Sequence, residues 1–152
     1  MSADTYVRVS ESDFDLAEEY QHLANSSKYG AVVTFCGLVR ELVDDELTAM
    51  TLEHYPAMTR NALQVIIAQA RKRWQLGPVR LIHRVGRLEL NDQIVFVGVA
   101  SAHRKDAFAA AQFIMDYLKN QAPFWKKEHT RAGSYWVAAK ESDHRALKQW
   151  SE

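Results

Sequence analysis

The chain of 152 residues balances 19 Lys and Arg against 19 Asp and Glu, so it projects no global field and is poorly suited to non-specific nucleic-acid binding. Any anion it recognises must be met at a local site. An apolar content of 47% with 25% charged residues is ordinary for a globular protein, and the length suits one domain, residues 1–152, with a sizeable core.

Cys36 is the only cysteine, which excludes an intrachain disulfide and fits a reducing compartment. The first residues, MSADTYVRVSESDFD, lack the basic and apolar regions of a signal peptide, and the longest apolar runs are of strand length. The expectation is a cytoplasmic protein. Three prolines and six glycines leave little room for disordered linkers, and no internal repeat is present.

In chain order, Tyr6–Val9 reads as a short strand, and Ser12 and Asp13 offer N-caps for a helix over 14–24 with Phe14, Ala17, Tyr20 and Ala24 on one face. After a turn at 25–30, AVVTFCGLV (31–39) is β-branched and almost wholly apolar, which predicts a central strand buried on both faces. Gly37 marks a bulge or a close backbone approach within it. Arg40 follows at once and opens the polar loop ELVDDEL.

A strand over 48–55 is stopped by Pro56, and a helix over 57–75 carries Leu63, Ile66, Ile67, Ala70 and Trp74 at helical period, ending at Leu76-Gly77-Pro78. Alternation over 79–85 predicts a strand with Val79, Leu81, His83 and Val85 on one face, continued by Leu88 and Leu90 to an Asn91-Asp92 turn. IVFVGVASA (94–102) reads as a second fully buried strand, delivering the chain to a helix over 105–121 with Phe108, Ala111, Met115 and Leu118 as its stripe. A hairpin, 124–130 with 135–139 around 131–134, and a short amphipathic helix, DHRALKQW, close the chain. Hairpins with few regular βαβ units predict an α+β fold with a largely antiparallel sheet and flanking helices.

The cationic residues cluster late. His103 and Arg104 stand where a buried strand hands over to a helix, whose free N–H groups and positive dipole favour an anion, and a guanidinium grips phosphate in a fork. The same pair also fits a surface arginine and a histidine bonded to a backbone carbonyl. Lys119 sits near the helix end, where a cation is favoured by about 0.3–1 kcal/mol. Beyond the corner at Pro123, Lys126 can return towards it, and two lysines in one partly buried cavity would have pKa values below the usual range and so suit proton transfer. Two solvated lysines are the plainer alternative.

Cys36, inside an apolar strand, fits inert packing better than nucleophilic catalysis. The six histidines show no metal-ligand spacing, and no glycine-rich phosphate loop occurs, so neither a metal nor a cofactor is expected. Phe124, Trp125, Tyr135 and Trp136 suit core or interface packing, or stacking on a flat heterocycle.

Taken together, FCGLVR (35–40), LEHYPAMT (52–59), HRVGRLELND (83–92), VFVGVASAHRKDAF (95–108) and MDYLKNQAPFWKKE (115–128) resemble the large, catalytic subunit of molybdopterin synthase over nearly the whole chain. The resemblance implies a hammerhead-like α+β fold with a small β subdomain. It implies a sulfurtransferase that converts cyclic pyranopterin monophosphate (precursor Z) to molybdopterin. The two sulfurs come from the thiocarboxylated C-terminus of a small ubiquitin-like subunit, and two large subunits form the central dimer of a heterotetramer.

By position, the resemblance assigns substrate binding to Arg40, His103, Arg104, Lys126, Lys127 and Glu128, and catalysis to Lys119 and Lys126. Leu38 stands where some relatives have Lys, and Lys140 stands where close relatives are expected to have Arg. The alternatives are a non-catalytic module that docks a ubiquitin-like tail or an anion, and a persulfide carrier built on Cys36.

Overall fold

The computed structural model describes residues 4–41, 46–137 and 141–151. Lys140, singled out above, lies outside them. The elements run β1 (Thr5–Ser10), α1 (Leu16–Leu23), β2 (Ala31–Leu38), β3 (Leu47–His54), α2 (Pro56–Arg73), β4 (Val79–Arg84), β5 (Gly86–Glu89), β6 (Gln93–Ser101), α3 (Arg104–Gln121), β7 (Phe124–Thr130), β8 (Gly133–Val137) and α4 (Glu141–Ala146), followed by a 3₁₀ turn at Leu147–Trp150. Two four-stranded sheets result, ordered β1-β4-β6-β2 and β5-β3-β7-β8. Every pairing is antiparallel except β1 with β4, so the α+β, largely antiparallel expectation holds.

Strict alternation builds the first core. On β6, Val95, Val97 and Val99 face α2 and α3, where Leu63, Ile66, Ile67, Ala110, Phe113 and Ile114 meet them. Each large apolar side chain so buried contributes about 1.5–3 kcal/mol relative to exposure. Phe96 points to the opposite face and joins Phe14, Leu23 and Ile82 beneath α1. A third cluster, Val39, Leu47, Met50, Leu52 and Leu88, lies under the second sheet, and Ile94 packs against both it and the first.

Four local expectations change. β2 takes the edge of the first sheet rather than its centre: among the described residues it pairs with β6 alone, and Phe35 and Leu38 remain 42% and 47% exposed. The N-cap of α1 is Asp15, whose Oδ1 accepts from the N–H groups of Ala17 and Glu18, while Asp13 binds the Phe14 N–H. The inward face of that helix is Glu19 and Leu23, not Ala17 and Tyr20, because Glu19 is neutralised by Arg80 at 2.6 Å. On α3, Phe108 is 62% exposed and the small residues Ala107, Ala110 and Ala111 lie towards the sheet, letting the helix approach closely.

Gly37 earns both of its readings. The β2–β6 register shifts between Gly37 and Leu38, and a Cβ at Gly37 would come within 2.9 Å of Val95 Cγ1. At the other end of the chain, Asp116 accepts hydrogen bonds from Gln112, Gln149 and the Trp150 indole, at 2.7–2.9 Å, and fastens the C-terminal turn to α3.

Candidate active site

Where the two sheets meet, a cavity of about 330 Å³ opens, and charged side chains reach it from elements far apart in sequence. Arg40 arrives just past the end of β2, Lys119 from the last turn of α3, Lys126 and Glu128 from β7, and Asp143 from α4. Leu38, Val39, Met50, Leu52, Ile94 and Leu118 form much of its apolar wall.

The β-sheet period decides which part of the Lys126-Lys127-Glu128 run is used. Lys126 lies opposite Leu52 and Glu128 opposite Met50, so all four share one face, the face turned to the cavity. Lys127, paired with Thr51 and Trp136, takes the other face, and its ammonium sits 5.5 Å from the Trp136 ring. It is not brought into the cavity. Lys126 Nζ lies 3.7 Å from Glu128 Oε2, an ion pair not anticipated in the sequence, which holds the lysine in place.

His103 and Arg104 are likewise not brought together with Lys119 within one chain. His103 is the N-cap of α3 and Arg104 its first residue. Lys119 lies about four turns further along, about 22 Å at about 1.5 Å per residue. Both N-terminal residues are exposed.

Two cavity residues, His83 and Asp143, escaped the sequence reading of the site, and a third, Phe124, was read there only as packing or as a stacking surface. His83 was placed correctly on the inward face of β4, but nothing in an alternating strand distinguishes a core histidine from a functional one. It is buried, stacked on Phe124 at 4.0 Å and 21°, and its Nδ1 lies 2.8 Å from the Arg84 carbonyl oxygen. Burial first, then the nearby charges of Lys119 and His54, lower its pKa to about 4, against the opposing pull of the Arg84 carbonyl. Phe124 supplies the stacking surface from β7. Asp143 is positioned by its own carbonyl oxygen, which accepts from Asn120 Nδ2 at 2.6 Å and so ties α4 to the end of α3.

Cys36 lies elsewhere. It is half-buried on β2, with Sγ 3.6 Å from Gln93 Oε1, and burial, then the charge of Asp13, raises its pKa. A thiol held protonated is a poor nucleophile. Among the described residues no group of three or more His, Cys, Asp or Glu could hold a metal ion.

Fold and site together define a class: an α+β protein that gathers Arg and Lys, counterbalanced by fewer carboxylates, into a cavity suited to a small anionic ligand. The family model described as MoaE protein matches residues 9–121, and the chain belongs to that family. It is 55% identical over 149 residues to the molybdopterin synthase catalytic subunit of Escherichia coli (strain K12), covering 97% of this chain and 99% of that protein. Among solved structures it resembles the molybdopterin biosynthesis MoaE protein from Burkholderia ambifaria MC40-6, with a TM-score of 0.84, 48% identity, and coverage of 97% and 99% of the two chains. The molybdopterin synthase structure from Staphylococcus aureus gives a TM-score of 0.80 at 29% identity, with coverage of 91% and 99%.

Proposed function

We propose that this chain is the catalytic subunit of a molybdopterin synthase. It converts cyclic pyranopterin monophosphate to molybdopterin with sulfur from the thiocarboxylated tail of a small ubiquitin-like carrier. The observation that carries the reading is the convergence of Arg40, Lys119 and Lys126, from three distant segments, on one cavity. Family membership and 55% identity to a catalytic subunit support it.

The chemistry asks for these side chains. Each transfer forms a C–S bond between the thiocarboxylate sulfur and the pterin side chain. Hydrolysis then breaks the acyl C–S bond, leaving the sulfur on the pterin and a carboxylate on the carrier. Opening of the cyclic phosphate and loss of water each put a proton on a departing oxygen. Lys119 is the acid and base for these steps. Arg40 pairs with phosphate, and Lys126, steadied by Glu128, orients the substrate or the incoming carboxyl group.

His103 and Arg104 join this site from a second copy of the chain. β2 is an apolar edge, and α3 runs alongside it, with Arg104 near the Ala31 end and Lys119 near the Leu38 end. A two-fold, antiparallel pairing of two β2 edges sets the Ala31 end of one copy against the Leu38 end of the other. The strand's eight residues span about 26 Å at about 3.3 Å each, close to the separation along α3 that must be bridged. Lys127 has no place in the cavity in this reading and braces Trp136 instead.

The chain acts as one unit, since Ile94 joins two of its cores, and works in the cytoplasm. Among the described residues no helix is long and apolar enough to cross a membrane. The test is to mix the protein with precursor Z and thiocarboxylated carrier and assay for the dithiolene pterin. Formation of product is expected. Carrier binding without product would leave a non-catalytic module.

A further inference from the structure

The inward row of β4, Val79, Leu81 and His83, begins as core and ends at the cavity wall. A carbonyl oxygen only accepts, so the 2.8 Å contact with Arg84 puts the ring proton of His83 on Nδ1 and leaves Nε2 as an acceptor. Phe124, stacked at 4.0 Å, fixes the plane of the ring. The charged and titratable groups around it are Lys119 on α3, His54 at the end of β3, and the Lys126–Glu128 pair on β7.

We propose that His83 is a positioning residue for Lys119: its Nε2 lone pair takes one Nζ–H of the lysine and sets the direction in which the others enter the cavity. The inference deepens the reading of this cavity as the reaction site and rests on it. A histidine suits the task better than a carboxylate would. An Asp or Glu here would form an ion pair with Lys119 and cancel charge needed for an anionic substrate. A neutral imidazole orients the lysine and leaves the positive charge in place. Burial and the neighbouring cations keep the ring neutral, as its lowered pKa of about 4 reflects.

The two amide substitutions separate this role from a structural one. In His83→Gln the amide lies near the former Nε2 and can still accept from Lys119. In His83→Asn it lies near the former Nδ1 and can still donate to the Arg84 carbonyl. Dithiolene formation is measured as kcat and KM for precursor Z, beside the thermal midpoint of each variant. The expected result is that Asn loses about tenfold to a hundredfold in kcat, at nearly unchanged KM, while Gln stays within about threefold of the parent. The reverse ranking would make the Arg84 bond the important one and overturn the proposal, as would equal losses.

Nitrogen NMR of the parent protein reads the geometry without turnover. A protonated Nδ1, an unprotonated Nε2, and a Lys119 Nζ resonance that moves in His83→Asn are expected. An Nε2–H tautomer in the parent protein would overturn the proposal even if either variant failed to fold, and an unmoved Nζ resonance in folded His83→Asn would overturn it too. Absence of product from the parent protein would count against the functional reading, while these NMR signals would still decide the role of His83.

Discussion

His83 makes the acid stability of this protein calculable. In the unfolded chain the imidazole protonates around its ordinary value of 6.5, whereas in the folded protein it resists until about 4. Between those values the unfolded state binds a proton that the folded state does not, so stability falls as the pH drops. The sign is that of a base with a depressed pKa: its contribution is complete above 6.5 and lost on the way down to 4. At about 1.36 kcal/mol per unit the full gap is worth about 3 kcal/mol, of which about 2.5 kcal/mol is gone by about pH 4.5. The assay is urea denaturation at a series of pH values from about 7.5 to 4.5, comparing the parent protein with His83→Gln. All other ionisable groups are common to both proteins, so their effects cancel in the difference. The substitution shifts the whole curve by a constant, and the slope carries the result. Parallel curves for the two proteins would refute the account of a buried, neutral imidazole.

Three further outcomes follow from the site. Lys119→Ala abolishes dithiolene formation, by at least about a hundredfold in kcat, while carrier binding measured by titration calorimetry is retained; near-normal turnover would remove Lys119 from its role. Cys36→Ser remains active within about twofold, since its thiol is held protonated away from the cavity; a folded but inactive variant would revive the persulfide scheme. Arg104→Ala weakens precursor binding, and mixing it with Lys119→Ala restores about a quarter of parental activity through mixed dimers with one intact site. No recovery on mixing would refute a site built from Lys119 of one copy and Arg104 of the other.

Much of the fold was legible because period and burial agreed. The run 94–102 was read as fully buried and became β6, flanked on both sides. Pro56 and Pro123 stand at real boundaries: Pro56 is the first residue of α2, and Pro123 separates α3 from β7. β2 misled for a physical reason. An apolar strand is covered either by its own sheet or by another molecule, and hydropathy is the same in both cases. Glu19 misled in the opposite sense: a carboxylate on a helix reads as solvent-facing, and only the fold reveals Arg80 opposite it. In the site, reading Lys126-Lys127 as a single cationic unit neglected that neighbours on a strand point apart. The return of Lys126 past Pro123 towards Lys119 was legible in the sequence and holds in the cavity, whereas the arrival of Arg40 from the end of β2 is set by how the two sheets meet.

Charge counting ties the proposed parts together. The reaction must bring two anions, a cyclic phosphate and a thiocarboxylate, into one cavity, where their mutual repulsion is strengthened by low dielectric. Among the described residues a single chain offers Arg40, Lys119 and Lys126 against Glu128 and Asp143, a surplus of one positive charge. That suffices to hold one anion and leaves the second unpaired. On the proposed pairing of two copies, Arg104 of the second copy supplies the missing charge, and His103 beside it adds a further donor. The same count fits the role proposed for His83, since a carboxylate in its place would erase the surplus before either anion arrived. A monomeric form of the protein should therefore bind one of its two anionic ligands but fail to hold both together, even with every cavity residue of its own chain intact.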